Sequence, residues 1–264
     1  MMTPTAQAYA ELQQAYDFFN ERLFEARLPA CLLTFQRERR SYGYFSHEAF
    51  VDSTTGKTTD EIALNCAYFA TVPLIEILQT LAHEMVHLWQ FRFGKPSRKG
   101  YHNKEFAAKM KAIGLMPSST GMPGGEEVGQ HMADYVIPGG PFLAACKTLL
   151  ETSFRITWMD RHPIQPQHNP TPEILKDDPA AEELVTLGAF SMPAESLVAS
   201  VTRPAGTIDS PGGAGEVGAP TPVTDRSNRL KFTCEKCGDN IWGKPSLANV
   251  KHGGECGDAA FVRA

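Results

Sequence analysis

The amino-acid sequence predicts an α+β fold over residues 5–161 and a separate small module over residues 229–264. Three observations carry this. Apolar residues recur at helical spacing near the start of the chain. Short aromatic and β-branched runs broken by polar turns follow, as far as Asn65. An apolar run over residues 73–93 then has the length and composition of a helix that packs on a small sheet.

In residues 5–27, Ala8, Tyr9, Leu12, Ala15, Tyr16, Phe19 and Leu23 lie at helical spacing, so the first helix buries one face. Residues 32–35 and 42–45 read as short strands around a basic turn at 37–40. Residues 51–60 form a Thr-rich loop, and 61–65 a third strand. Pro73 opens the long helix, where a missing N–H is tolerated, and Gly94-Lys95-Pro96-Ser97 ends it. A second helix over 103–113 carries Phe106, Met110 and Ile113 on one face. Residues 116–129, rich in Gly, Pro and Ser, read as a loop, 131–137 as extended chain, 142–150 as a short helix and 154–159 as a last strand.

Residues 163–225 hold nine acidic and two basic side chains and ten of the nineteen prolines, so 162–228 reads as an acidic, Pro-rich and mostly disordered linker. The patch 180–201 within it is the stretch suited to a transient helix or docking motif. The net charge of -5 therefore hides a chain that is slightly positive elsewhere. Positive charge clusters at Arg92, Lys95, Arg98, Lys99, Lys104, Lys109 and Lys111, with Glu105 the one acid among them, which suits an anionic partner or simply a solvated helix face. No apolar run reaches the roughly 18 residues of a membrane span, and no secretory leader is visible. Of the six cysteines, only Cys234 and Cys237 form a close pair, which argues against a disulfide framework and for a reducing, cytoplasmic setting.

The chemistry concentrates at His83-Glu84-Met85-Val86-His87. Residues four apart share a helix face, so both imidazoles can reach one cation, with Glu84 beside them to handle a proton. This is the zincin arrangement: two His ligands on Zn²⁺ and a Glu general base. A catalytic zinc needs a third protein ligand and an open position. A compact downstream motif is absent, because Gln90 and Phe93 stand where its Gly and His would fall. Glu105 is the close carboxylate, and His102, at the start of the next helix, is the better-placed imidazole.

These residues resemble the SprT-like zinc metallopeptidases, the family that includes Spartan-type proteases. In that family an N-terminal helix and small strands precede His-Glu-x-x-His, and a third His opens the next helix in a His-Gly-x-x-Phe context. Here that context is His102-Asn103-Lys104-Glu105-Phe106, with Asn103 in place of Gly. The resemblance covers about residues 8–113. It implies a zincin-like minimal metallopeptidase domain of N-terminal helix, small sheet, active-site helix and second helix. It also implies a catalytic zinc on His83, His87 and His102, with Glu84 as the base. Tyr101, His131 and Tyr135 are candidates for a second oxyanion donor, each with a structural role as the alternative. The strand 61–65 is placed like the substrate-binding edge strand of zincins.

Cys234-Glu235-Lys236-Cys237-Gly238 is a zinc-knuckle half-site. Cys256 and His252 complete a four-ligand structural set. SprT ribbons usually supply two cysteines in this half, so the alternative is a ribbon that no longer holds metal. Phe232 and Trp242 are expected to pack over the knuckle. Lys231, Lys236, Lys244 and Lys251 with Trp242 suit either nucleic-acid contact or a solvated surface.

The resemblance implies a zinc endopeptidase acting on DNA-associated or DNA-crosslinked proteins with loose sequence preference, cytoplasmic and nucleoid-associated in a bacterium. The alternatives are a DNA-associated or transcription-related zinc protein with little proteolysis, and a peptidase without a nucleic-acid role.

Overall fold

The structure is a computed structural model that describes residues 2–38, 41–164, 174–175, 178–190, 230–243 and 250–263. The chain divides into two compact units, Met1–Gly206 and Thr207–Ala264.

Helix α1 (Pro4–Phe24) starts on Pro4 and ends at Glu25, whose backbone turns into the left-handed region (φ 59°). Asn20 fixes that turn, its amide donating to the Leu28 carbonyl and accepting from the Leu28 N–H, both at 3.0 Å. The buried face of α1 is Ala8, Leu12, Ala15, Tyr16, Phe19, Leu23 and Phe24; of the residues at helical spacing Tyr9 alone is exposed, and Phe24 joins the face.

Strands β1 (Leu32–Gln36), β2 (Gly43–Val51) and β3 (Thr58–Asn65) form one sheet in the order β1-β3-β2. The last strand of the three thus lies in the middle, parallel to β1 and antiparallel to β2. It is buried from Asp60 to Asn65. This corrects the expectation that residues 61–65 offer a free edge: both sides of β3 are already paired, and the edge beside the long helix is β2. The outer half of β2 is exposed and carries a bulge between Ser46 and Phe50, where Glu48 has φ 47°.

Helix α2 (Leu74–Phe93) follows Pro73, which occupies the cap position just outside it. A 3-10 turn (Arg98–Gly100) leads to α3 (Lys104–Ile113). Gly114 ends α3 at φ 95°, and a Cβ there would lie 2.8 Å from the Phe142 nitrogen. The close turn brings in a hairpin of β4 (Leu115–Ser118) and β5 (Ala133–Val136), then α4 (Pro141–Glu151), whose Phe142 packs on Phe19 with ring centres 5.7 Å apart. The stretch expected as a final strand, 154–159, is irregular instead. Phe154 and Ile156 are buried, while the Glu11 carboxylate accepts from the Thr157 N–H (2.9 Å) and hydroxyl (2.6 Å). A side-chain carboxylate of α1 takes the place of a strand partner there.

Part of the stretch expected to be linker is packed. The Ile164 N–H donates to the Ala67 carbonyl (2.8 Å), and the Thr71 hydroxyl donates to the Ile164 carbonyl (2.7 Å). Helix α5 (Pro179–Thr186) follows, and the Ile75 N–H in the first turn of α2 donates to the Ala189 carbonyl (3.0 Å). Leu175, Leu184 and Ala189 are fully buried. Average composition conceals this, because a few well-spaced apolar side chains suffice to cover a helix end. Residues 165–173, 176–177 and 191–229 lie outside the described residues.

In the second unit, β6 (Leu230–Cys234), β7 (Asn240–Gly243), β8 (Lys251–His252) and β9 (Ala259–Arg263) form an antiparallel sheet in the order β7-β6-β9-β8. Phe232 is buried. Among the described residues no helix is long and apolar enough to cross a membrane.

Candidate active site

His83 and His87 stand one turn apart on α2, and His102 meets them from the segment just before α3. The Nε2 atom of His102 lies 3.3 Å from that of His83 and 3.1 Å from that of His87. Nitrogen ligands about 2.0–2.1 Å from a tetrahedral ion lie roughly 3.3–3.4 Å from one another, so the three imidazoles fit one zinc ion. The Phe106 ring, from the first turn of α3, packs against all three imidazoles, with centre distances of 5.2, 4.4 and 4.6 Å to His83, His87 and His102.

Two of the rings are oriented through their other nitrogen. His83 Nδ1 donates to Asp134 Oδ2 at 2.8 Å, and Asp134 is held in turn by the Gln79 amide, which donates to its Oδ1 (2.8 Å) and its carbonyl (2.9 Å). His102 Nδ1 faces the Gly129 carbonyl at 3.3 Å, and the backbones of His102 and Gly129 exchange hydrogen bonds of 2.8 and 3.1 Å. Both arrangements leave Nε2 as the lone-pair atom. Asp134, Gln79 and Gly129 were not among the candidates from sequence. They belong to β5 and the loop before it and to an outer turn of α2, and nothing local in the sequence ties them to the histidines.

Burial pushes the His87 ring well below its ordinary pKa, helped by the neighbouring His83 and His102, and pushes His102 down to about 4. Both therefore stand neutral, as metal ligands must. Burial acts the same way on His83, but the Asp134 carboxylate outweighs it and the net shift is upward. Burial raises Glu84 to about 7, against the opposing pull of His83 and of a hydrogen bond from the Phe45 N–H. A carboxylate poised near neutrality beside three imidazoles has the properties of a general base.

Glu105 is not placed as a ligand. Its Oε2 accepts from the Gln90 amide (2.8 Å) and the Lys95 N–H (2.6 Å). Asn103 caps α3, its Oδ1 accepting from the Phe106 N–H (3.0 Å) and the Gln90 amide (2.8 Å) while its amide donates to the Lys95 carbonyl and the Ser97 hydroxyl. Of the three oxyanion candidates, Tyr101 is exposed, Tyr135 is half-buried, and His131 is exposed and close enough for its charge to depress His102.

The basic segment is partly spent internally. Arg92 pairs with the buried Asp60, Lys111 with Glu127 at 2.7 Å, and Lys109 lies over the Phe24 ring (4.7 Å) and the Trp89 ring (5.3 Å). Lys95, Arg98 and Lys104 are exposed; the side chain of Lys99 lies outside the described residues.

In the second unit Cys234, Cys237, His252 and Cys256 bring their ligand atoms within 4.8 Å of one another. Cys237 Sγ lies 3.3 Å from His252 Nδ1 and accepts from the Asp239 N–H. Backbone N–H donation, led by that of Cys237, lowers the Cys234 thiol to about 6, favouring the thiolate a metal binds. The Trp242 side chain and Lys244 lie outside the described residues; Lys231, Lys236 and Lys251 are exposed.

The model of the SprT-like family matches residues 12–124, the span from α1 through the histidine cluster. A curated Salmonella typhimurium protein, described as an uncharacterized protein in the mucB 3' region, is 59% identical over 59 residues, which cover 22% of this chain and 80% of that protein. No solved structure matches the chain. The chain belongs to the SprT-like family, which is of metallopeptidase type.

Proposed function

We propose that this chain is a zinc-dependent endopeptidase with a zincin-like active site, acting on DNA-associated or DNA-crosslinked proteins with loose sequence preference. The observation that carries the proposal is the convergence of His83, His87 and His102 on one point, with Glu84 buried next to them. A zinc ion held there would supply a Lewis acid and acidify bound water. Glu84 takes a proton from the attacking water and passes it to the leaving amine. His102, held by Gly129, and His83, held by Asp134, keep their lone pairs aimed inward throughout.

The exposed edge of β2 receives an extended substrate. By the alternation of an antiparallel ladder, the backbone groups of Phe45 point away from β3, toward Glu84 and any strand laid beside it. Main-chain pairing selects little by side chain, which agrees with a loose preference. The DNA reading rests on Lys95, Arg98 and Lys104, and on the exposed lysines of the second unit, whose Cys234, Cys237, His252 and Cys256 would hold a structural zinc.

The test compares the zinc-loaded full chain with Glu84→Gln on an unfolded protein and on a DNA-bound protein, with and without added DNA. Cleavage by the wild type alone, faster with DNA, is the expected result. Equal cleavage by both forms removes the peptidase reading, and a rate indifferent to DNA removes the DNA part of it.

A further inference from the structure

Beside the histidines, β2 and α2 present a wall of rings. Phe45 stacks on His87 with ring centres 6.4 Å apart and meets Phe91 at 5.2 Å; Phe91 in turn meets His47 at 4.8 Å. Phe45 and His47 are two apart on a strand and share a face, and Phe91 lies one turn beyond His87 on the same stripe of α2. Phe91 is 39% exposed, one helical turn from His87.

The wall is fixed by a carboxylate that the chemistry does not use. Asp60 of β3 is 1% exposed. It accepts from His47 Nδ1 (2.8 Å), from the Glu48 N–H at the β2 bulge (2.9 Å) and from Arg92 Nε (2.7 Å), the residue next to Phe91. One buried group therefore pins both sides of an exposed aromatic surface, the strand side and the helix side. The β2 backbone that would pair with a substrate runs along that same wall.

Resting on the peptidase reading, we propose that Phe45, His47 and Phe91 form a subsite for a large apolar side chain of the substrate close to the cleaved bond, with Asp60 as the residue that positions it. A peptide lying along β2 alternates its side chains, and those on the Phe45 and His47 side meet the rings. Selection is therefore confined to one or two substrate positions, while the remainder is held by backbone pairing.

The experiment uses labelled peptides identical except for Phe, Leu, Gly or Asp at one position. Their binding to the zinc-loaded, cleavage-dead Glu84→Gln chain is measured, and their cut sites in the wild type are mapped. Phe and Leu peptides should bind and be cleaved on the order of tenfold better than Gly or Asp peptides. Cuts should fall within two residues of the apolar side chain. Phe91→Ser should shrink that ratio toward one without changing zinc content. Equal binding of all four peptides, or an unchanged ratio in Phe91→Ser, overturns the subsite. Peptidase failure shows separately, as identical cleavage by the wild type and Glu84→Gln.

Discussion

Asp134 Oδ2 lies 2.8 Å from His83 Nδ1, across 51 residues of chain, and links strand β5 to the histidine-bearing helix α2. A carboxylate behind a ligating imidazole fixes its tautomer and raises its basicity. Asp134→Ala leaves His83 free to rotate and to protonate either nitrogen. Zinc affinity at this site should fall about 10–100-fold, measured by chelator competition, with the circular dichroism of the fold retained. Wild-type affinity in the variant would show that the pair does no more than link two elements.

The histidine cluster was largely legible in the sequence because its signal is local. His83 and His87 declare their common face by spacing alone, and His102 follows a turn that returns the chain. What supports them was not legible. Asp134 sits on a four-residue strand, and nothing near it in the chain marks it as facing α2. The order of the sheet was also hidden. Nothing local in three short strands gives their order, and β3 inserts between β1 and β2, so that residues 61–65 are paired on both sides and the edges are β1 and β2. Asn103 reads as a departure from the family's Gly, yet its side chain caps α3, engages Gln90 and ties down residues 95–97. A glycine would leave those groups without that link.

Leu175, Leu184 and Ala189 are buried in the core of the first unit, with Ile164, Leu187 and Phe190 packed against it. Leu184 is fully buried on α5, and Lys147 of α4 pairs with Glu183 beside it. Leu184→Ala should cost about 2–4 kcal/mol in urea unfolding of the full chain. A shift within a few tenths of a kcal/mol would mean that α5 does not pack on the folded unit in solution.

Asp60 gives the fold an acid-sensitive link. Burial opposes its ionisation, but donation from the Glu48 N–H, Arg92 and His47 prevails and holds its carboxyl below the usual range. A carboxylate whose pKa falls on folding adds stability above its unfolded pKa of about 3.9 and loses it as pH drops through the folded value. Asp60→Asn should therefore be less stable than the wild type by about 3 kcal/mol at neutral pH, since it leaves Arg92 and His47 without their charged acceptor. The gap should narrow below about pH 4, where the wild type itself becomes protonated. Denaturant midpoints across pH give the result, and a gap that stays constant down to pH 2 would contradict the linkage.

Read as zinc ligands, Cys234, Cys237, His252 and Cys256 are expected to stabilise the second unit more than its apolar burial does. Among its described residues only Phe232 and Cys234 are buried, whereas Cys234, Cys237, His252 and Cys256 join the turn after β6 to β8 and the turn that follows it. A sheet this small would gain much of its folding free energy from a metal held there. Chelation of the full chain should abolish amide-exchange protection over residues 230–243 and 250–263, while α1 and the core face of α2 keep theirs. Cys237→Ser should lower bound zinc from about two ions per chain to about one, as expected for one ion per ligand set. Protection of the C-terminal strands that survives chelation would mean that the sheet stands without metal and that the cysteines serve another purpose.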